Sequence, residues 1–425
     1  MYSFTEYFIL LLILHTPLSA LEDEGTCMKE DERCEISSKS DSRYLFYDVN
    51  EPEGFNLRRD VYMRLAIFAH RLLEDNWKLV LPPWPHLYHW RTKSFNQAQL
   101  SWSNFFDISS LRKFAPVIEM NEFFKENDVT PLILDSVFVL QHYKDAFKVK
   151  NWKWDDKWSF EPCNTPLYYV HTEETYKGWF WGYRNISARS VKCVSFQGGT
   201  SLLKQLLEQS KARYVMLDHA EVVLHDSFGD KLYWQCRKSM KFAKPLIEEA
   251  KYYLQTVFNV SSLIDEAVDT NKTDSRNAKG GPYMCVHLRR RDFITGRPNE
   301  IPSIESASKQ ISQKLALLNL TTVFVATDAP KEEKFELKEL MPNYTLVYYT
   351  PDDLDLIKFK DGGVAIIEQI ICSYARYFIG SHESTFSFRI QEEREILGFP
   401  ESTTFNRLCG TNNDCVQPSK WRIQL

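Results

Sequence analysis

Tyr283-Met-Cys-Val-His-Leu-Arg-Arg-Arg-Asp292 is the stretch on which the fold turns. Its first six residues form a short, β-prone run. Three guanidinium groups and a carboxylate then follow at once. A continuous apolar run of this length, without alternation, suits a strand buried on both faces. The sequence downstream alternates. Ile304–Leu318 and Lys331–Leu340 carry helical periodicity, and Thr322–Ala326 and Thr345–Tyr349 read as strands. Val364–Ser373 reads as a helix and Tyr377–Gly380 as a strand. Strands alternating with helices of this length predict a parallel, doubly wound α/β sheet. In such sheets ligands bind outside the carboxyl ends of the strands, where Arg289–Arg291 begin.

The first half repeats the pattern once. Tyr44–Val49 reads as a strand. Asn56–Asp75 reads as a helix with Val61, Leu65, Phe68 and Leu72 on one face, and Trp77–Leu81 as the next strand. This is a βαβ unit. A further strand is expected at Tyr214–Leu217, and a long amphipathic helix at Lys238–Phe258. Residues 84–210, rich in tryptophan, have no clear period, and 261–281 reads as a polar surface loop or linker. The expected organisation is two Rossmann-like domains, 42–240 and 241–425, facing an interdomain cleft. Pro52-Glu-Gly-Phe-Asn-Leu-Arg-Arg-Asp60 places a carboxylate, Glu53, at the first domain's strand end.

Composition sets the compartment. Phe8–Leu14 is an apolar run too short to span a bilayer, followed by Pro17, Ser19 and Ala20, so residues 1–20 read as a signal peptide. The n-region departs from the usual pattern, with Glu6 and no Lys or Arg. Residues 21–41 form a polar lead-in, and no later segment is long and apolar enough to cross a membrane. The chain ends Arg422-Ile-Gln-Leu425, which is not a retrieval signal of the Lys-Asp-Glu-Leu type. Nine cysteines suit an oxidising compartment. Local bridges are open to Cys27 with Cys34, Cys163 with Cys193 and Cys409 with Cys415. Cys285 and Cys372 lie in apolar runs and read as buried free thiols, and Cys236 is ambiguous. Glycosylation sequons stand at Asn185, Asn259, Asn271, Asn319 and Asn343. A net charge of −5 argues against a general nucleic-acid binder.

The two tracts together suggest a chemistry. A carboxylate can take a proton from an acceptor, and an arginine can stabilise charge growing on a departing phosphate. Asp292 can orient Arg289 through a bidentate pair. Each reading has a bland rival. Glu53 can be a helix-dipole carboxylate, Arg289–Arg291 a solvated strand end, and His287 a satisfied core residue. Arg58 and Arg59 read as solvated helix charges. Asp361-Gly-Gly363 opens a helix on which Glu368 stands, either contacting a ribose or base or lying on the surface. Ser384-Thr385-Phe386 offers hydroxyls, amides and a ring for phosphate and base. Asp353-Leu-Asp355 has the form of a cation-binding pair but reads as a solvated helix start, and no His/Cys cluster argues for zinc. Trp152, Trp154, Trp158, Trp179 and Trp181 suit an acceptor surface or a packed core equally.

Pro52–Asp60, His287–Asp292, Asp361–Ile367, Ser384–Ile390, Gln391–Gly398 and Gly178-Trp-Phe-Trp-Gly-Tyr183 together resemble the GDP-fucose protein O-fucosyltransferases. Within that family the likeness is to the type 2 branch, which modifies thrombospondin type 1 repeats. The resemblance implies a GT-B fold and residence in the endoplasmic reticulum lumen. It further implies inverting, metal-independent transfer of fucose from GDP-β-L-fucose to Ser or Thr of a folded repeat carrying C-x-x-S/T-C-G. Glu53 falls on the family's base and Arg289 on its leaving-group arginine. The donor site would draw on Pro52, Gly54, Phe55, Asn56, His287, Leu288, Glu368, Thr385 and Phe386. Cys163–Cys193 and Cys409–Cys415 match family bridges. Glu368 departs from the family's usual Asp by one methylene. No cofactor or metal and a monomeric state are expected. A luminal binding factor for cysteine-rich repeats, or transfer to EGF-like repeats, are the alternative readings.

Overall fold

The computed structural model describes residues 42–144, 156–166, 168–209, 211–224, 226–260, 276–411 and 415–424. Residues Ser42–Leu425 pack as one compact unit. The expected signal peptide, Cys27, Cys34, Trp152, Trp154, Asn271 and most of the 261–281 loop lie outside the described residues.

Two large sheets organise the chain. The first has seven strands in the order Val117–Glu119, Trp77–Leu81, Arg43–Tyr47, Tyr214–Asp218, Ser136–Gln141, Val191–Gln197 and Lys157–Phe160. Its pairings are parallel except that of the edge strand Lys157–Phe160, which is antiparallel. The second has four parallel strands, Thr345–Val347, Thr322–Thr327, Gly281–Leu288 and Ala375–Ile379. A smaller four-stranded sheet, holding Leu132–Leu134, Val170–Thr172, Thr175–Lys177 and Ile186–Ala188, packs against the outer face of the first.

Both large sheets are covered on both faces, as parallel sheets require. On Arg43–Tyr47, Leu45 and Tyr47 enter one core while Tyr44 and Phe46 enter another. On Gly281–Leu288, Tyr283 and Cys285 enter that first core, and Met284, Val286 and Leu288 enter a third. The core holding Leu45 and Tyr283 is therefore continuous from the seven-stranded sheet and its helices, the first lobe, into the four-stranded parallel sheet and its helices, the second lobe. Phe55–Arg71, the first helix, lies within it, with Val61, Leu65, Phe68 and Leu72 buried as the stripe predicts.

Three expectations need correction. First, Arg58 and Arg59 are not solvated: both are buried. The apolar stripe describes only the face that meets the sheet. The second lobe's helix Thr385–Ile396 and the residue Gln369 cover the other side. Second, Lys238–Phe258 is two helices, Lys231–Ser239 and Lys244–Phe258. Pro245 sits in the first turn of the latter, where its missing N–H costs nothing. Third, Cys285 and Cys372 are not free thiols but form a disulfide between strand Gly281–Leu288 and helix Asp353–Ser373. Their separation of 87 residues hides the pairing from local spacing. Cys163–Cys193 and Cys409–Cys415 are paired as read, and Cys236 is a buried free cysteine. Asn185, Asn259, Asn319 and Asn343 are exposed.

Candidate active site

The loop after the first strand carries Glu53, and one buried side chain holds it. Arg58 donates from Nη2 to the carbonyls of Val49 and Asn50, each at 3.0 Å, and from Nε to the carbonyl of Glu53 at 3.0 Å. It also pairs with Asp48 at 3.5 Å. Its fixed fork satisfies three loop carbonyls in a way a lysine could not. Glu53 itself stays partly exposed. Burial, then the neighbouring charge of Glu221, raises its carboxyl above the ordinary glutamate value, with Arg58 opposing. Pro52 is exposed and Phe55 is buried against Trp84 and Phe105. Asn56 Oδ1 accepts from Gln369 at 2.9 Å and from Arg59 at 3.2 Å, so this side chain bridges the lobes. Gly54 serves a close approach, not an unusual dihedral: its φ is −78°, and a Cβ there would lie 3.0 Å from the His89 ring.

The second lobe divides its arginine run into three tasks. Arg289 reaches the junction and pairs with Asp292 and with Asp328, each at 2.6 Å. Its backbone N–H donates to Ser381 Oγ at 2.8 Å. Arg290 is buried and takes both oxygens of Glu333, at 2.8 and 3.0 Å, with the Pro302 carbonyl at 2.6 Å. Arg291 is exposed and opens a short helix with φ of 30°. His287 is buried, with Nδ1 2.8 Å from Ser387 Oγ and its ring stacked on Phe386 at 4.3 Å. Burial, then the charge of Arg289, pushes His287 down to about 3, so it stands neutral. Leu288 is buried, and its carbonyl accepts from Thr327 Oγ1 at 2.6 Å.

Thr385 and Phe386 begin the helix Thr385–Ile396 and are half-buried beside this strand end. Burial pushes the Glu368 carboxyl up to about 8, with Lys334 opposing and Asp328 adding to the rise. Asp361 follows a break at Lys360, where φ is 62°, and binds the first lobe: its carboxylate accepts from Thr92 N–H at 3.0 Å and Thr92 Oγ1 at 2.6 Å. Gly362 lets this helix close on Phe105 and Trp90, which a Cβ would meet at 2.8 and 3.0 Å. Asp353 and Asp355 lie in the first turn of a helix capped by Asp352, which accepts from Asp355 N–H. Trp181 is buried against Phe46, Trp158 is half-buried and Trp179 is exposed.

The two strand ends meet. Arg289 Nη2 lies 3.4 Å from Nδ1 of His89, the residue that abuts Gly54. The exposed Tyr88 hydroxyl senses Asp292, Arg289, Glu53 and Asp328, after burial the main reasons for its shifted acidity. Sequence reading did not single out Tyr88, His89 or Asp328. Asp328 carried a signal, since it follows strand Thr322–Thr327 at its carboxyl end. Tyr88 and His89 lie in the aperiodic stretch and carried none.

The family model for GDP-fucose protein O-fucosyltransferases matches residues 44–397. The chain belongs to that family. GDP-fucose protein O-fucosyltransferase 2 of Homo sapiens is 47% identical over 390 residues, 90% of each chain. The Caenorhabditis elegans protein of the same name is 40% identical over 425 residues, 98% of each. The crystal structure of POFUT1 in complex with GDP-fucose has 18% identity and a TM-score of 0.54, over 87% of this chain and 98% of that one. This fucosyltransferase is thus a glycosyltransferase of mixed α/β, GT-B-like fold. No helix among its described residues is long and apolar enough to cross a membrane.

Proposed function

We propose that this chain transfers fucose from GDP-β-L-fucose to a Ser or Thr hydroxyl of folded thrombospondin type 1 repeats in the endoplasmic reticulum lumen, with inversion. The acceptor oxygen forms a bond to the anomeric carbon as the bond from that carbon to the β-phosphate oxygen breaks. The hydroxyl proton goes to Glu53, and the electron pair leaves with GDP. Arg289 offsets the charge that develops on the β-phosphate, so the transfer needs no divalent ion. Pro52, Gly54, Phe55, Asn56, His287, Leu288, Glu368, Thr385 and Phe386 frame the donor, in part as backbone and in part as support for the residues that touch it.

The observation that carries this reading is the approach of the two strand ends: the His89 imidazole lies 3.4 Å from Arg289 Nη2 and 3.0 Å from where a Cβ on Gly54, next to Glu53, would stand. A proton acceptor on one lobe and a guanidinium on the other suit a single displacement whose nucleophile and leaving group stand on opposite faces of the sugar.

Mass spectrometry of a purified thrombospondin type 1 repeat incubated with the protein and GDP-fucose tests the reading. A gain of one deoxyhexose on Ser or Thr, undiminished by EDTA, is expected. An unmodified repeat, alongside a modified EGF-like one, would replace the acceptor; loss of activity in EDTA would restore a metal.

A further inference from the structure

His89 stands on a loop that runs from Pro82 to Leu100 and is fastened at both ends. Trp84 and Leu100 close its base with paired backbone hydrogen bonds of 2.8 and 3.1 Å. Thr92 ties it to the second lobe through Asp361. Gln97 completes a ring, accepting from Asp361 N–H at 2.9 Å and donating to the Thr92 carbonyl at 3.1 Å. The imidazole lies between Gly54 and Arg289, under the ring of Tyr88.

The other side-chain partners of Arg289, the carboxylates of Asp292 and Asp328 and the ring of Phe293 5.3 Å away, belong to its own lobe. Both carboxylates draw the guanidinium back towards that lobe. His89 opposes them from across the junction without adding charge. Because a guanidinium only donates, Nδ1 must be the unprotonated acceptor. Burial, then the charge of Arg289, holds the ring neutral, its pKa pushed down to about 4 against the opposing pull of Asp292.

We propose that His89 is a positioning residue for the transfer reaction: its neutral imidazole, seated in the space that the missing side chain of Gly54 leaves and carried on the loop that the Thr92–Asp361–Gln97 ring ties down, aims the Arg289 guanidinium across the junction towards the side that carries Glu53. A carboxylate in its place would neutralise the cation further, and a cation would drive it away. The inference rests on the leaving-group role proposed for Arg289.

Two variants of the full chain test it, assayed with GDP-fucose and a folded repeat beside Arg289→Lys. His89→Phe keeps a ring against Gly54 and removes the acceptor. His89→Asn restores an acceptor near the Nδ1 position. For His89→Phe, kcat falls roughly tenfold or more, the factor for one hydrogen bond to a charged group, while GDP affinity and thermal melting stay close to wild type. His89→Asn recovers most of that loss. Wild-type kcat in His89→Phe overturns the proposal, as does a His89→Asn variant as slow as His89→Phe, which marks a packing role alone. Normal turnover in Arg289→Lys would instead remove the arginine's own role. A slow Arg289→Lys with a fast His89→Phe sinks only the positioning claim.

Discussion

Glu53 and Arg289 both sit just past the carboxyl end of a parallel strand, yet the protein holds them in opposite ways. Around Glu53 the backbone is fixed and the functional side chain is left loose. Arg58 binds three loop carbonyls, while the Glu53 carboxylate remains partly open to solvent. Around Arg289 it is the side chain that is fixed: Asp292, Asp328 and His89 all contact the guanidinium. The difference follows from the chemistry proposed. A base must meet an acceptor that arrives on a separate protein, so it profits from reach. A cation that stabilises a leaving group must already be aimed, since reorienting it during the reaction would consume the stabilisation it provides.

That contrast can be broken at four points. The largest effect is expected for Glu53→Gln. It should bind GDP-fucose nearly as wild type and lose roughly 10²–10⁴-fold in transfer, the usual cost of removing a general base. Binding by calorimetry and turnover by mass spectrometry check this, and near-normal turnover would remove Glu53 from the base role. Next is the Cys285–Cys372 disulfide, which fastens the strand that delivers Arg289. The double Cys→Ala variant should lose about 2–4 kcal/mol of stability by denaturant unfolding. Intact non-reduced protein should yield the two cysteines in one linked peptide. Arg58→Gln, which frees the Glu53 loop and leaves Asp48 without its cation, should cost about 2 kcal/mol and lower kcat without a matching change in GDP affinity.

The smallest effect is in the pH profile. Burial and Glu221 raise the Glu53 carboxyl, and Arg58 lowers it. The base works ionised, so turnover falls as pH drops through this raised pKa. Glu221→Gln removes a raising charge and should move the acid limb of kcat to lower pH. Arg58→Gln removes a lowering charge and should move it to higher pH. Shifts in the same direction for both variants would mean that the limb belongs to another group.

Much of this arrangement was legible wherever local signals and tertiary demands agreed. Helix Ile304–Leu318 has its bounds as read because Ser303 caps its start and Asn319 ends it in the left-handed region. Strand Trp77–Leu81 likewise stands as read, stopped by two prolines. Glu53 and Arg289 were visible as charges placed where strands end. What escaped the reading was set by residues far along the chain. Arg59 reads as solvated until the second lobe brings Gln369 to 2.7 Å from it. Strand Ser136–Gln141 is placed by its two neighbours, Tyr214–Asp218 and Val191–Gln197, and not by its own period. Asp361-Gly-Gly363 reads only as the opening of a helix, yet its carboxylate and first glycine serve the contact with Thr92, Trp90 and Phe105. His89 has no sequence signature because its importance comes entirely from what the other lobe places beside it.

A carboxylate and a guanidinium acting on one sugar–phosphate bond from opposite faces, as proposed, would be read out in the anomeric configuration of the product. Nuclear magnetic resonance of a repeat fucosylated from GDP-β-L-fucose should show an α-linked fucose, the outcome of one displacement. A β-linked product, from two displacements or from substitution on one face, would rule out the single displacement proposed for Glu53 and Arg289.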